Sequence, residues 1–282
     1  MTITFKEELT EQIPEKVNVY RLTKLSASTK AVVDIAKQLG LKGKQREYCI
    51  SPDWTTYREG PYRVEVHKRS GALYYYDESK YGIQTEKEFE LDNTRAEEIA
   101  NDFLRSANII PKNEAKLIKV TRLRGAVSSV GNSTDLRESV IDAGVIYGRF
   151  VDKISVEGPG GKAMVNIDPE GKVVGMSLLW RPLSRKIGNV KVKKRDFVLN
   201  EIEKYLAKVE GNVTVTKARF GYFEFNKYDL QTILQPVYTF IFNLEHEEVA
   251  RRYIKVIPAG TKTYAPLKER KKFPIKQIVR TA

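Results

Sequence analysis

The stretch from Gly144 to Trp180 constrains the fold of this chain more than any other. Apolar and polar side chains alternate from Met164 to Asp168 and again from Val173 to Leu179, which is the period-two pattern of half-buried strands. The sequence Asp168-Pro169-Glu170-Gly171 separates the two runs. Proline presets φ for the second residue of a turn, and glycine tolerates the positive φ that often closes it. The stretch therefore predicts a meander of long antiparallel strands.

Apolar residues recur at helical spacing in three places, which begin near Ser28, Thr94 and Asp196. Ser28 is a typical N-cap, and Gly40 is typical of the position just past a helix end. Thr94 and Glu97 have the spacing of a capping box. Strand-like segments follow each predicted helix, so the pattern indicates three helix-plus-hairpin units. Their starts are unevenly spaced, which is not typical of a solenoid of fixed period.

Three short segments resemble PepSY-type modules: Gly71 to Tyr76 (GALYYY), Asp168 to Gly175 (DPEGKVVG) and Leu234 to Phe240 (LQPVYTF). The resemblance extends in broken form over residues 17–258. It implies cystatin-like units of one helix packed on an antiparallel sheet, as in protease propeptides and in extracytoplasmic regulators of bacterial sensor kinases. It implies no catalytic residues.

The predicted fold class is therefore α+β, with tandem cystatin-like (PepSY-like) modules. We expect a first helix-plus-hairpin module at residues 1–90 and a central module with the long meander at 91–190. A third module is expected at 191–260, followed by a basic tail at 261–282.

The composition is that of a folded globular protein, with 41% hydrophobic and 30% charged residues. No apolar run reaches the 18 or so residues that a membrane-spanning helix needs, so we expect no transmembrane segment. The N-terminal residues do not read as a signal peptide. The expectation is a cytoplasmic protein as written, or an extracytoplasmic one if an export segment was trimmed. Cys49 is the single cysteine, which excludes an intramolecular disulfide, and we expect an inert buried thiol.

No cofactor or metal site is predicted. The two histidines, His67 and His246, are isolated in the sequence, and a structural or solvated role is expected for each. The segment Gly158 to Lys162 lacks the spacing of a phosphate-binding loop and precedes a strand, so it predicts a turn. An alternative hypothesis is a small-molecule enzyme with a pocket in a curved sheet, in which Asp152 or Asp168 works with tyrosines in proton transfer or cyclisation.

The aromatic residues give the main candidates for binding. Tyr74, Tyr75 and Tyr76 are consecutive, so alternation places Tyr75 on the opposite face of its strand from its neighbours. We predict a non-enzymatic binding or regulatory protein that presents sheet faces, together with loops at Ser51 to Pro61 and Gly125 to Ala143. A protein or peptide is the expected partner, and a small-molecule ligand is the alternative. The candidate binding residues are Trp54, Tyr57, Tyr75, Arg149, Trp180 and Arg181.

The net charge of +13 is concentrated near the C-terminus. From Arg251 onward there are ten Lys and Arg residues and one acidic residue, Glu269, which together contribute +9. Such a segment attracts nucleic acid or an anionic surface through a field that salt screens. A third hypothesis is therefore attachment through the basic residues Lys268, Arg270, Lys271, Lys272 and Lys276.

Overall fold

The computed structural model describes residues 3–6, 13–43, 47–81, 91–111, 113–129, 132–207, 211–246 and 249–267. Within these residues the chain forms three helices: α1 (Thr29–Gln38), α2 (Asn93–Ala107) and α3 (Arg195–Leu206). The chain divides into two compact units. The larger unit contains Asn18–Asn189 and Phe220–Pro236, and the smaller unit contains Met1–Val17, Val190–Arg219 and Val237–Ala282.

The described residues also form sixteen strands. Nine of them build the main sheet of the larger unit: β3 (Glu47–Ile50), β4 (Trp54–Glu59), β5 (Tyr62–His67), β6 (Leu73–Asp77), β7 (Ala115–Ser129), β8 (Asn132–Val151), β9 (Ile154–Glu157), β10 (Lys162–Ile167) and β11 (Val173–Leu179). The others are β1 (Ile3–Phe5), β2 (Lys16–Leu22), β12 (Leu183–Lys191), β13 (Asn212–Phe223), β14 (Ile233–Leu234), β15 (Pro236–His246) and β16 (Val249–Pro258).

These nine strands are all antiparallel to their neighbours in the main sheet. Its strands follow the order β9-β8-β10-β11-β6-β5-β4-β3, with β7 also paired to β8. The turn at Asp168–Gly171 joins β10 to β11 as the sequence predicts, because the Gly171 amide donates to the Asp168 carbonyl and Gly171 has φ +79°. The Asp168 carboxylate further accepts the amides of Glu170 and Lys172, which is the turn chemistry expected of aspartate.

Helices α1 and α2 share one hydrophobic core on one face of this sheet. Val32, Ile35 and Ala36 of α1 are buried in it, and so are Ala100 and Leu104 of α2. The sheet contributes the inward side chains of β4 to β6, β8, β10 and β11, including Val64, Tyr75, Val145, Val165 and Met176. These side chains stand opposite one another from strand to strand and form a continuous apolar row.

The prediction of tandem cystatin-like modules is therefore wrong, and with it the internal repeat of PepSY-like helix-on-sheet units. The protein is mostly β, with few helices and a large sheet, and α1 and α2 cover the same sheet. Helical periodicity shows that a helix buries one face, but it does not show which strands that face contacts. The predicted domain boundaries near residues 90, 190 and 260 stay predictions.

The two predicted loops are also wrong, because both contain strands. Residues 125–129 belong to β7 and residues 132–143 belong to β8, and the two strands pair with each other. Residues Ser51 to Pro61 contain β4, which pairs with both β3 and β5. Polar residues hide the strand pattern here, because strand pairing depends on backbone hydrogen bonds that any side chain permits.

The predicted N-cap of α1 is confirmed, and the predicted capping box of α2 is wrong. Ser28 caps α1, its hydroxyl accepting the Ala31 amide. The cap of α2 is Asp92, which accepts the Arg95 amide at 2.7 Å, and the helix begins before the predicted capping box at Thr94. None of the helices in the described part of the chain is long and apolar enough to cross a bilayer.

The smaller unit contains a β-hairpin, two further strand segments and a helix. Strands β15 and β16 form a hairpin with ten residue pairs, from Val237 opposite Pro258 to His246 opposite Val249. Strand β15 also pairs with β13, and β1 runs parallel to β13 with Ile3 to Phe5 opposite Val213 to Val215. Helix α3 buries Val198, Ile202 and Leu206.

A shared core makes a testable prediction about Leu178 of β11, which is buried in the same core as residues of α1 and α2. Leu178→Ala is expected to cost about 2–5 kcal/mol in the free energy of unfolding, as large-to-small core substitutions do. Both α1 and α2 should lose amide protection together in hydrogen exchange. Leu117→Ala on β7, where the side chain is 38% exposed, is the matched control and should cost far less. Retained protection of α1 beside a melted α2 would contradict a common core.

Candidate ligand-binding cleft

The main sheet has a second face, opposite the helices. Leu73 and Tyr75 point into the core, so alternation places Tyr74 on this second face. Tyr74 stands opposite Ser177, Ser177 opposite Met164, and Met164 opposite Ile146. One row of side chains therefore crosses four strands and forms a floor.

A cleft of about 430 Å³ lies over this floor. Its volume is within the range of small-molecule sites in proteins, roughly 300–1,000 Å³. Two chain segments form its walls: the turn that carries Pro159, and the loop that carries Asn226, Lys227 and Tyr228. The lining residues are Tyr74, Ile146, Pro159, Lys162, Ala163, Met164, Ser177, Leu178, Leu179, Asn226, Lys227 and Tyr228.

Lys162 is one of the two charged residues among the described residues that line the cleft, and the other is Lys227. Lys162 opens β10 opposite Leu179, next to the row of Met164 and Ser177, and its Nζ donates to the Val156 carbonyl at 2.9 Å. Burial lowers the pKa of the Lys162 amine, although the negative charges of Glu157 and Glu224 oppose this effect. Among the described residues that line the cleft there is no Asp or Glu.

The Pro159 wall depends on glycine. Gly158 has φ +93°, and a Cβ there would lie 2.6 Å from the Glu224 carbonyl oxygen. A Cβ on Gly160 would lie 2.6 Å from the Phe225 carbonyl oxygen, and the Gly160 amide donates to the Glu224 carbonyl at 3.0 Å. Only glycine permits this close approach of two backbone segments.

A buried network of ion pairs stabilises the chain segments that form the walls of the cleft. Glu224 is fully buried and lies between two buried arginines, accepting from Arg149 Nη1 at 3.1 Å and from Arg181 Nη1 at 3.2 Å. Arg149 also donates to Glu114 at 2.7 Å, and its guanidinium lies over the ring of Trp180. Burial lowers the pKa of Arg181, although the negative charge of Glu224 partly opposes this shift. Each charge is thus compensated by a neighbour, as buried charges require.

Arg181 uses its remaining donors to shape the second wall. Its guanidinium donates to the backbone carbonyls of Phe225, Asn226 and Asp229 at 2.9–3.0 Å. These contacts fix the loop that brings Lys227 and Tyr228 to the cleft. The network therefore stabilises the walls of the cleft. Its arginines do not themselves line the cleft.

Lys227 is surrounded by aromatic rings. Its Nζ lies 4.9 Å from the ring centre of Tyr74 and 5.3 Å from those of Trp54 and Tyr228, and it donates to the Tyr74 hydroxyl at 3.1 Å. Burial acts to lower the pKa of Lys227, but the hydrogen bond to Tyr74 and the proximity of Tyr228 raise it overall. The ammonium is therefore held in its charged form.

A buried carboxyl group, that of Asp142, lies on the same second face. Asp142 Oδ1 accepts from the Asn166 amide at 3.1 Å, while Oδ2 has no hydrogen-bond partner, and the residue is 1% exposed. Burial raises the pKa of Asp142, although the hydrogen bond from Asn166 opposes the shift.

The structure separates the candidate residues chosen from the sequence into three groups. Trp54 belongs to the rings around Lys227 on the second face. Tyr57 and Tyr75 are buried in the core with the helices. The remaining candidates meet in the buried ion network, namely Arg149, Trp180 and Arg181.

The two carboxylates considered for catalysis have structural partners. Asp152 Oδ2 accepts from the Tyr20 hydroxyl at 2.7 Å and from Asn18 at 2.9 Å. Burial, with Asp152 adding to it, raises the pKa of Tyr20 to about 12, so this phenol stays a proton donor at neutral pH. The Asp168 carboxylate accepts backbone amides of its own turn, and its Oδ2 forms an ion pair with Lys80 Nζ at 3.2 Å. Neither aspartate lines the cleft.

His67, for which a structural or solvated role was predicted, is buried in the larger unit. It is 2% exposed, its Nδ1 lies 3.0 Å from the Ser70 hydroxyl, and burial lowers its pKa. The described residues contain no group of three or more potential metal ligands. The side chains of Cys49 and His246 and the tail residues from Lys268 onward lie outside the described residues. Nucleic-acid or anionic-surface attachment through the tail therefore stays a prediction.

Sequence reasoning missed Lys162, Tyr74 and Lys227. Alternation around Tyr74 to Tyr76 did carry a signal, since it showed that Tyr74 and Tyr75 face opposite ways. The turn at Gly158 to Lys162 was predicted correctly, but a turn does not show what its lysine faces. Lys227 lies far along the chain from Trp54 and Tyr74, so no local pattern links them.

The buried network predicts a large loss of stability on removal of its central charge. Glu224→Gln leaves Arg149 and Arg181 without their shared carboxylate, and we expect a cost of about 3–5 kcal/mol in the free energy of unfolding. Chemical denaturation measures it. Glu98→Gln is the matched control: its pair with Arg95 is exposed, and the cost should stay below about 1 kcal/mol. Equal costs for both variants would contradict the role of the network.

Asp142→Asn is expected to stabilise the protein at neutral pH. The raised pKa means that the folded protein holds this proton more tightly than the unfolded chain, so the native carboxyl loses stability as pH rises through its folded pKa. The amide lacks this penalty. Thermal unfolding should therefore show a higher midpoint for the variant at pH 7, and the difference should vanish below about pH 4, near the unfolded value. A difference that is independent of pH would contradict this origin.

Comparison with known proteins shows a similar fold and no family. No family model matches the sequence, and no curated protein matches it. An uncharacterized protein from Eubacterium rectale ATCC 33656 has a similar structure, with a TM-score of 0.55 and 11% identity, over 95% of this chain and 91% of that one. At this identity the likeness shows the fold alone, and the PepSY resemblance of the three short segments stays a prediction.

Proposed function

We propose that this chain is a binding protein whose cleft on the second sheet face holds a ligand with an apolar body and a carboxylate. The observation that supports it is Lys162, a partly buried amine in a cleft lined mainly by apolar side chains. Within the described lining no acidic side chain competes for this amine.

The electrostatics of Lys162 favour an anion. Burial penalises the charged amine, which is why its pKa is lowered. A bound carboxylate would offset that penalty, since a charge-assisted hydrogen bond contributes about 1.5–3 kcal/mol. One ammonium proton is already used by the Val156 carbonyl, and the others supply donors for the ligand.

The lining favours an apolar body behind the acid. Ile146, Met164 and Leu179 form the floor, and methionine adapts its shape to different ligands. The Ser177 and Tyr74 hydroxyls add polar groups at the centre of the floor. A free organic acid has this chemistry, and so does the C-terminal residue of a peptide with an apolar side chain, which retains the peptide partner expected from the sequence.

Binding of octanoate to the full chain, measured by calorimetry, tests the proposal. We expect octanoate to bind at least about tenfold more tightly than 1-octanol, the factor that corresponds to the weaker end of a charge-assisted hydrogen bond. N-acetyl-leucine against its amide distinguishes the peptide-terminus form of the ligand from the free acid. Equal affinities within both pairs would overturn the proposal.

Lys162→Met should abolish the preference for octanoate while keeping the fold. Lys172→Met, at a position whose side chain is 65% exposed in the turn before β11, is the matched control and should bind as the native protein does. Affinity of the native protein for octanoate should also fall as pH rises through the lowered pKa of Lys162, because the neutral amine no longer attracts the carboxylate. A preference for octanoate that is retained in Lys162→Met, or lost equally in Lys172→Met, would contradict the assignment of the acid to Lys162.

A further inference from the structure

The second face contains an aromatic cage that shares Tyr74, Lys227 and Tyr228 with the lining of the cleft. Three rings, those of Trp54, Tyr74 and Tyr228, surround one cation, the Lys227 ammonium, at 4.9–5.3 Å from their centres. This is within the distance of about 6 Å at which the ring face attracts a positive charge. The chain thus shows in its own structure that this cage accommodates an ammonium.

We infer that the cage is a binding site for the alkylammonium group of a ligand, and that Lys227 is its built-in occupant. Methylated ammonium ions are weakly hydrated and lose little on leaving water, so rings select them over a compact, well-hydrated amine. An external trimethylammonium group needs the same three ring faces and no hydrogen-bond acceptor. It therefore competes with Lys227 for one place.

The cage walls are held independently of Lys227. Trp54 packs edge-on against His67 at 4.7 Å and against Tyr74 at 5.5 Å between ring centres. Tyr228 packs edge-on against the ring of His67, and its backbone carbonyl accepts from Arg69 at 3.1 Å. Removal of the lysine side chain leaves these contacts in place, so the cage remains when its occupant is deleted.

The occupant is carried by the same loop as the cage residue Tyr228. Arg181 holds the backbone of Asn226 and Asp229 on either side of Lys227. The lysine stem is a flexible chain, and its ammonium competes as an intramolecular ligand at a fixed effective concentration. A ligand that displaces the ammonium leaves the loop where it is and frees Lys227 toward the cleft, because Lys227 and Tyr74 line both.

The test uses the full chain and choline as the probe, with its methyl proton signal followed by NMR. Ring faces shift that signal upfield, which a purely electrostatic attraction does not do. We expect Lys227→Ala to bind choline about tenfold more tightly than the native protein, the factor expected if Lys227 leaves the cage free about one tenth of the time. Lys227→Arg keeps a cation on the loop and should bind as the native protein does.

Two further measurements separate the cage from a general effect. The double variant Lys227→Ala with Tyr228→Ala removes one exposed ring and should lose both the affinity and the upfield shift. The neutral isostere 3,3-dimethylbutan-1-ol should bind Lys227→Ala far more weakly than choline does. Choline affinity unchanged by Lys227→Ala, or retained in the double variant, would overturn the inference. Lys162 is intact in every variant, so failure of the acid site leaves this test unaffected.

Discussion

Charge compensation around Glu224 is the interaction on which the rest of the larger unit depends. Two buried arginines approach one buried carboxylate, and Glu114 balances the second positive charge. A buried pair of this kind gains little net stability over apolar packing, but removal of one partner is costly because it leaves the other charge buried and uncompensated. Here the ion pairs join the end of β8, the residue after Trp180 and the start of the 224–231 loop. The network therefore connects segments that are distant in the sequence.

The cleft depends on this ion network, which holds its walls, and on the main sheet, which forms its floor. The sheet supplies a flat floor because its second face carries Tyr74, Ser177, Met164 and Ile146 in one row. A floor alone holds no ligand. The walls arise where Arg181 binds three loop carbonyls and where glycines let the Pro159 turn approach the Glu224 backbone. The arginines thus hold the walls of the cleft in place, and other residues line the cleft where a ligand would bind.

The two faces of the sheet divide the work of folding and binding. Tyr75 and Tyr57 pack under α1 and α2, where their rings fill the core. Tyr74 and Trp54, which the pleat turns the other way, meet Lys227 and the cleft. Aromatic content alone did not distinguish these roles. Alternation did assign neighbours in Tyr74 to Tyr76 to opposite faces, but only the position of the helices decided which face became the core.

Local patterns in the sequence determined the local structure wherever one physical rule acted alone. The Asp168–Gly171 turn, the cap at Ser28 and the helical stripe of α1 all depend on residues within a few positions of one another. The 125–143 hairpin was missed because paired polar strands leave no periodic signal.

Tertiary structure alone decided three things: that α1 and α2 share a core, that Glu224 meets both arginines, and that Lys227 reaches Trp54 and Tyr74. Each depends on residues tens to more than a hundred positions apart. Periodicity states that a face is buried, whereas contact between distant residues depends on how the whole sheet is ordered and paired.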